Sequence, residues 1–126
     1  MKILICGDRD WDDYEKIYEV LQEFPADTIV VHGGCRGADQ IAAAICEELG
    51  MTPKEYPYIK ALGRAGGPAR NTQMAQENPD IEVVIGFHNN IENSKGTKDM
   101  LFRAAPQYIP NAKIRVIEVL QIKGEK

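Results

Sequence analysis

The chain has 126 residues, is 44% hydrophobic, and carries 15 Lys and Arg against 19 Asp and Glu, for a net charge of −4. This length predicts one domain that can bury a core without disulfides or metals. No stretch approaches the ~20 apolar residues of a membrane span, and the start turns acidic too soon for a signal peptide. A membrane protein, a disordered chain and a secreted disulfide scaffold are excluded, and general binding to double-stranded nucleic acid is disfavoured.

The cysteines bear on location and on metal binding. Cys6, Cys35 and Cys46 are odd in number and lie too far apart for a zinc site or a redox pair. We therefore expect no metal site, no cofactor and a reducing, cytoplasmic environment.

Short apolar runs alternate with helical patterns along the chain, which predicts an α/β fold with a mostly parallel sheet of about five strands. Strands are predicted at Lys2–Cys6, Thr28–His32, Lys54–Tyr58, Glu82–Phe87 and Ile114–Val119. Helices are predicted from Asp12 or Asp13 up to Pro25, from about Gly37 to Leu49, from the turn at Pro68 through Gln76, and over Thr97–Ala105. Residues 1–120 form the expected single domain, and residues 121–126 form a polar tail.

The loop after the second predicted strand reads Gly-Gly-Cys-Arg-Gly-Ala-Asp over residues 33–39. In open parallel sheets, ligands bind beyond the carboxyl ends of the strands. Glycines let a ligand approach the backbone, the free N–H groups of a helix start favour an anion, and Arg36 adds a forked donor. An equally good interpretation is a tight turn in which Asp39 favours the helix start. The loop is neither a dinucleotide fingerprint nor a P-loop.

Two further loops lead from glycines into predicted helices. Gly66-Gly67 precedes Arg70 and Asn71, and Gly96-Thr97 opens the last helix. The stretch from residue 56 to residue 76 has no Asp or Glu and contains the cations Lys60, Arg64 and Arg70. Three helix starts with nearby cations predict one pocket for a phosphorylated small molecule, with a solvated basic loop as the alternative. Trp11 either covers a core edge or stacks on a base, and His32 and His88 are expected to be structural.

Four segments, in this order, resemble the YspA-type branch of the SLOG superfamily, which also contains the LOG phosphoribohydrolases and the DNA-processing protein A (Smf) group. They are GDRDW at Gly7–Trp11, HGGCRGADQIAA at His32–Ala43, GRAGGPARNTQM at Gly63–Met74, and Gly96-Thr97 with the short helix that follows. The resemblance implies a Rossmann-like three-layer αβα sandwich with a pocket for a nucleotide or a nucleotide-derived ligand. It assigns to that pocket Gly33, Gly34, Arg36, Gly37, Asp39, Arg70, Asn71, Gly96 and Thr97, with Gly7 and Arg9 at the floor or rim. Arg64 is added as a ligand-binding candidate because of its charge.

The chain departs from the LOG enzymes at the position of their catalytic glutamate, which Met100 occupies here. Asp99 is one position away, about 100° around the helix. The leading hypothesis is therefore binding or sensing of a nucleotide-like small molecule. A homo-oligomer is a possible form of the domain, and no membrane is expected as a partner. The alternative is cleavage of an N-glycosidic or phosphoryl linkage, with Asp8, Asp39 and Asp99 as candidate carboxylates. Binding of single-stranded DNA is a minor alternative.

Overall fold

A computed structural model describes residues 1–118 as a five-stranded parallel sheet with helices on both faces. The strands are β1 (Lys2–Gly7), β2 (Ile29–His32), β3 (Thr52–Glu55), β4 (Ile81–Phe87) and β5 (Lys113–Ile117). Their order in the sheet is β3-β2-β1-β4-β5, and every neighbouring pair is parallel. The end of the predicted last strand, Val119, and the polar tail at 121–126 lie outside the described residues.

The helices begin at recognisable sequence signals. Helix α1 (Tyr14–Leu21) is capped by Asp13, whose carboxylate accepts from the Lys16 N–H at 3.0 Å. Helix α2 (Ala38–Leu49) ends at Gly50, a residue in the left-handed conformation. Helix α3 spans Gly66–Glu77, and a last helical segment runs through α4 (Gly96–Asp99), a π-helical turn (Met100–Ala104) and α5 (Ala105–Tyr108). Two 3₁₀ turns lie at Lys60–Ala65 and Ile91–Asn93.

Alternation along β1 divides the core into two layers. Ile3 and Ile5 pack against apolar residues of α1 and α2, whereas Leu4 and Cys6 pack on the opposite face against α3 and the last helical segment. Since successive side chains of a strand point to opposite faces, a run that is apolar at every position covers both. This accounts for the three-layer arrangement and confirms the predicted Rossmann-like α/β fold.

Two predicted elements were placed wrongly. The third strand was predicted at Lys54–Tyr58, but β3 is Thr52–Glu55, and all four residues are exposed. It is an edge strand paired only with β2, so no buried face marked its position. The last helix was predicted to end at Ala105, yet it continues to Tyr108 through the π-helical turn. Pro106 lies directly after that wider turn and has no N–H to donate.

The strand order decides where a ligand site can form. The first three strands extend the sheet in one direction, and the chain then crosses back to place β4 beside β1. The loops after β1 and β4 therefore leave the sheet on opposite sides and open a crevice between them. No helix in residues 1–118 is long and apolar enough to cross a membrane.

Candidate functional site

A cleft of about 390 Å³ lies at the carboxyl ends of the strands, where the strand order reverses. It collects most of the residues that the sequence predicted. The predicted residues that line it are Gly7, Asp8, Arg9, Gly33, Arg36, Asp39, Arg70, Asn71, Gly96 and Thr97. The sequence motifs thus meet in one cleft although they lie up to 90 residues apart in the chain.

Four predicted residues do not line the cleft. Gly34 has a φ of +71° and faces the Glu55 side chain. Gly37 lies behind the cleft wall, against the backbone of the loop after β1. Arg64 lies in the exposed 3₁₀ turn. Asp99 stands behind Asn71, which donates to its carboxylate at 2.9 Å.

The start of α3 is also directed away from the cleft, in contrast to the prediction that three helix N-termini converge there. Gly66 packs against Ile59 O, and Gly67 packs against the Tyr58 ring. Helix α3 reaches the cleft one turn later, through the side chains of Arg70 and Asn71.

Two glycines allow the loops after β1 and β2 to touch. Gly37 has a φ of +79°, and a Cβ added there would lie 2.3 Å from Asp8 O. A Cβ on Gly7 would lie 2.7 Å from the Cβ of Ala38 at the start of α2, and 2.4 Å from Phe87 O of β4. The contact is fixed by the Ala38 N–H, which donates to Asp8 O at 3.1 Å. Any larger residue at either position would separate the two walls of the cleft.

Three amides of the β2–α2 turn are occupied within the protein. The N–H groups of Gly33 and Cys35 donate to Asp39 Oδ2 at 3.1 and 3.3 Å, and the Gly34 N–H donates to His32 Nδ1 at 3.0 Å. Burial lowers the pKa of His32, which keeps the imidazole neutral and able to accept. The first half of this turn, Gly33 to Cys35, is therefore closed by Asp39 and His32.

Asp39 is the most unusual group in the cleft. It is 6% exposed, and its Oδ1 is buried without a hydrogen-bond partner among the described residues. Burial raises the pKa of Asp39 to about 6, against the lowering effects of the Cys35 and Gly33 amides and the Arg70 charge. A carboxylate with one satisfied and one unsatisfied oxygen is a strong acceptor with spare capacity.

Arg70 braces the floor of the cleft. It is 7% exposed, and its Nη1 donates to Gly33 O at 2.8 Å and to Tyr56 O at 3.3 Å. Its Nε donates to Asn71 Oδ1 at 3.1 Å, and its Nη2 lies 3.9 Å from Cys35 Sγ. Most of its five donors are thus engaged by the protein, which ties α3 to the loops after β2 and β3.

The Asn71 network continues away from the cleft. Asp99 accepts from Asn71 and from the Arg103 guanidinium, the latter at 2.9 Å from Nη2. The Arg103 hydrogen bonds lower the pKa of Asp99. Asp99 is thus held ionised by two hydrogen-bond partners outside the cleft lining, which suits a structural group better than a proton donor.

The cations available to a ligand stand at the rim. Arg36 has a 70% exposed side chain whose Nη2 lies 3.2 Å from Asp10 Oδ1. Arg9 and Lys95 are exposed and line the same cleft. Next to Lys95, Ser94 Oγ accepts from the Thr97 N–H at 3.0 Å and so caps the last helical segment.

His88, which the sequence interpretation treated as structural, lies in the cleft directly after β4. Its Nδ1 accepts from the Asn90 N–H at 2.9 Å, so its Nε2 carries the proton in the neutral ring. That Nε2 lies 4.0 Å from Asp8 Oδ2, across the point where the strand order reverses. The position of a polar residue immediately after a buried strand is the sequence signal that could have identified it.

Trp11 is buried in the hydrophobic core. It is 5% exposed, its indole N–H donates to Asp13 O at 2.9 Å, and its ring packs edge-on against Phe87 with centroids 5.5 Å apart. It is therefore not presented to a ligand.

The fold and the cleft define a Rossmann-like α/β protein with a polar cleft at the switch point of its sheet. Residues 1–57 match the family described as "YspA, cpYpsA-related SLOG family". This match, over less than half of the chain, supports the resemblance to the YspA-type SLOG family that the motifs predicted. The chain is also 28% identical, over 119 residues, to "Gene 61 protein" of Mycobacterium phage D29, covering 86% of this chain and 92% of that protein. No solved structure gives a significant match.

Proposed function

We propose that the cleft binds a nucleotide or a nucleotide-derived phosphorylated ligand. Similarity to the SLOG family over residues 1–57 supports nucleotide-related binding or processing in general. The observation that carries the narrower proposal is the composition of the cleft, where the cations Arg9, Arg36 and Lys95 line the same cavity as Asp39 and Asn71. Cations suit phosphate groups, and buried polar side chains suit the sugar or base.

The magnitudes are sufficient for useful affinity. A hydrogen bond to a charged group contributes about 1.5–3 kcal/mol. Two such bonds from the rim cations, together with one or two inside the cleft, approach the ~8 kcal/mol of a micromolar Kd. The cavity, at about 390 Å³, lies within the usual range for small-molecule sites.

Calorimetry against a panel of nucleoside mono-, di- and triphosphates tests the proposal. We expect Arg36→Ala to weaken binding of the preferred nucleotide about tenfold or more, since one charge-assisted contact is lost. Arg64→Ala is the matched control, because it removes the same charge from an exposed site outside the cleft. The proposal is refuted if no member of the panel binds the wild-type protein, or if the two variants bind equally well.

A second candidate function is hydrolysis of the bond between base and ribose. Asp39 favours it, since a buried carboxyl with a pKa of about 6 and an unpaired oxygen has the properties of a general acid or base. Incubating the protein with nucleoside monophosphates and measuring free base by chromatography separates turnover from binding. Free base formed by the wild type and lost in Asp39→Asn supports hydrolysis, whereas binding without free base supports a sensor.

Single-stranded DNA binding receives less support. Such proteins stack successive bases on aromatic side chains, and none of the described residues that line this cleft is Phe, Tyr or Trp.

A further inference from the structure

The cleft is divided by polarity into an inner and an outer part. The exposed cations Arg9, Arg36 and Lys95 line it from the rim, whereas the buried carboxyl of Asp39 lines it from inside. Among the turn amides nearest to this carboxyl, those of Gly33 and Cys35 donate to Asp39 and that of Gly34 donates to His32. The inner part therefore presents an unpaired acceptor, Asp39 Oδ1, beside donors that are mostly engaged by the protein.

An unpaired carboxylate oxygen favours a hydrogen-bond donor beside it over an anionic group. The ionised Asp39 carboxylate has an oxygen without a partner, and the desolvation cost of such a buried acceptor is relieved only by a donor. The Arg70 guanidinium nearby has its Nη1 and Nε donors engaged by Gly33, Tyr56 and Asn71, and its Nη2 lies 3.9 Å from Cys35 Sγ. A ligand hydroxyl or N–H group is the partner that this oxygen lacks.

We infer that Asp39 is a ligand-recognition residue whose Oδ1 accepts a hydrogen bond from the uncharged sugar or base of the ligand, which fixes the orientation with the phosphate outward at Arg36 and Lys95. This inference rests on the proposed function and adds to it a direction of binding and a specificity-determining residue. Asp39 Oδ2 meanwhile accepts from the Gly33 and Cys35 amides and keeps the turn closed, so the two oxygens of this side chain have separate roles.

The substitution Asp39→Asn tests whether Asp39 recognises the ligand or only contributes negative charge. The two roles predict changes of opposite sign in nucleotide affinity. In Asp39→Asn the amide oxygen can still accept from Gly33 and Cys35, which places the NH₂ group where Oδ1 was. The acceptor then becomes a donor. If Asp39 recognises the sugar or base, the nucleotide binds at least tenfold more weakly. If Asp39 only contributes negative charge, its removal strengthens binding of an anion.

Glu55→Gln is the matched control. Glu55 lies beside Gly34, outside the cleft lining, and its charge acts on Asp39, so this variant removes a nearby negative charge without changing the inner acceptor. We expect Glu55→Gln to bind the nucleotide as tightly as the wild type or more tightly. Binding of pyrophosphate, which has no sugar or base, should not be weakened in either variant.

The outcomes distinguish the two proposals. Should no nucleotide bind the wild type, the proposed function fails. Should a nucleotide bind and Asp39→Asn bind it as tightly as Glu55→Gln does, only the assignment of Asp39 is overturned. Circular dichroism first checks that each variant is folded. If Asp39→Asn does not fold, Asp39→Ser tests the same contact, because it removes Oδ1 and leaves no acceptor of the same reach.

Discussion

Removing the Arg70 side chain should destabilise the fold itself, in addition to any effect on a ligand. The guanidinium makes two short bonds, to Gly33 O at 2.8 Å and to Asn71 Oδ1 at 3.1 Å, and a longer one to Tyr56 O at 3.3 Å. In Arg70→Ala these buried acceptors lose their donor, and water reaches the site only by way of the cleft.

The size of the effect follows from these contacts. Hydrogen bonds to a charged group contribute about 1.5–3 kcal/mol each, and the truncation also leaves a void beside Gly33. We therefore expect Arg70→Ala to lower the free energy of unfolding by about 3–5 kcal/mol. A domain of this kind has about 5–15 kcal/mol in total, so the variant remains folded in buffer or lies at the limit of folding.

Urea unfolding followed by fluorescence measures this change, because the single tryptophan, Trp11, is buried in the native core. With a slope of about 2 kcal/mol per molar urea, the midpoint should fall by roughly 2 M. Arg64→Ala is the control, and as an exposed substitution it should change stability by less than about 0.5 kcal/mol. If Arg70→Ala unfolds within about 1 kcal/mol of the wild type, the bracing role assigned to Arg70 is wrong.

Two further predictions concern the turn that leads into α2. Gly37→Ala should lower the free energy of unfolding by roughly 2–3 kcal/mol in a urea titration, because φ is +79° and the new Cβ would lie 2.3 Å from Asp8 O. Gly96→Ala is the control, because a Cβ there meets nothing within 4 Å, and it should change this free energy by less than about 0.5 kcal/mol. Burial raises the pKa of Asp39 from 3.8 to about 6, so the folded state binds more protons than the unfolded state between these values, and this group stabilises the fold progressively as pH falls from about 6 to about 4. The stability of the wild type relative to Asp39→Asn should therefore fall by about 2–3 kcal/mol between pH 4 and pH 7, and a difference that stays constant over this range would contradict the buried, ionisable state of Asp39.

The sheet was predictable because its signals are local. The run from Ile3 to Cys6 is apolar at every position, and a strand with both faces covered needs that pattern. The exposed edge strand β3 has no such pattern, and its bounds were accordingly predicted wrongly. The last helix was predicted to end too early because a proline such as Pro106 usually stops a helix. No sequence pattern indicates the π-helical turn that precedes α5 and lets the helix continue through this proline.

The sequence predicted which residues line the site better than it predicted their chemical roles. Glycine turns at strand ends brought Gly33, Gly96 and their neighbours into one cleft, as the switch-point rule requires. The start of α3 was misjudged because the 3₁₀ turn at Lys60–Ala65 directs Gly66 against Ile59. The pairing of His88 with Asp8 depends on β4 lying beside β1, and residues 80 positions apart share no local pattern.

The assignment of donors and acceptors shows what a motif by itself leaves open. Gly33, Cys35 and Asp39 are compatible both with a cradle for an anion and with a turn closed on itself. The choice between them is made by one side chain, since Asp39 Oδ2 accepts from both amides. Once those donors are engaged, the same loop changes from an anion-attracting surface to an acceptor-bearing one. A phosphate is then better placed at the exposed cations of the rim, and the inner position of Asp39 selects the uncharged end of the ligand.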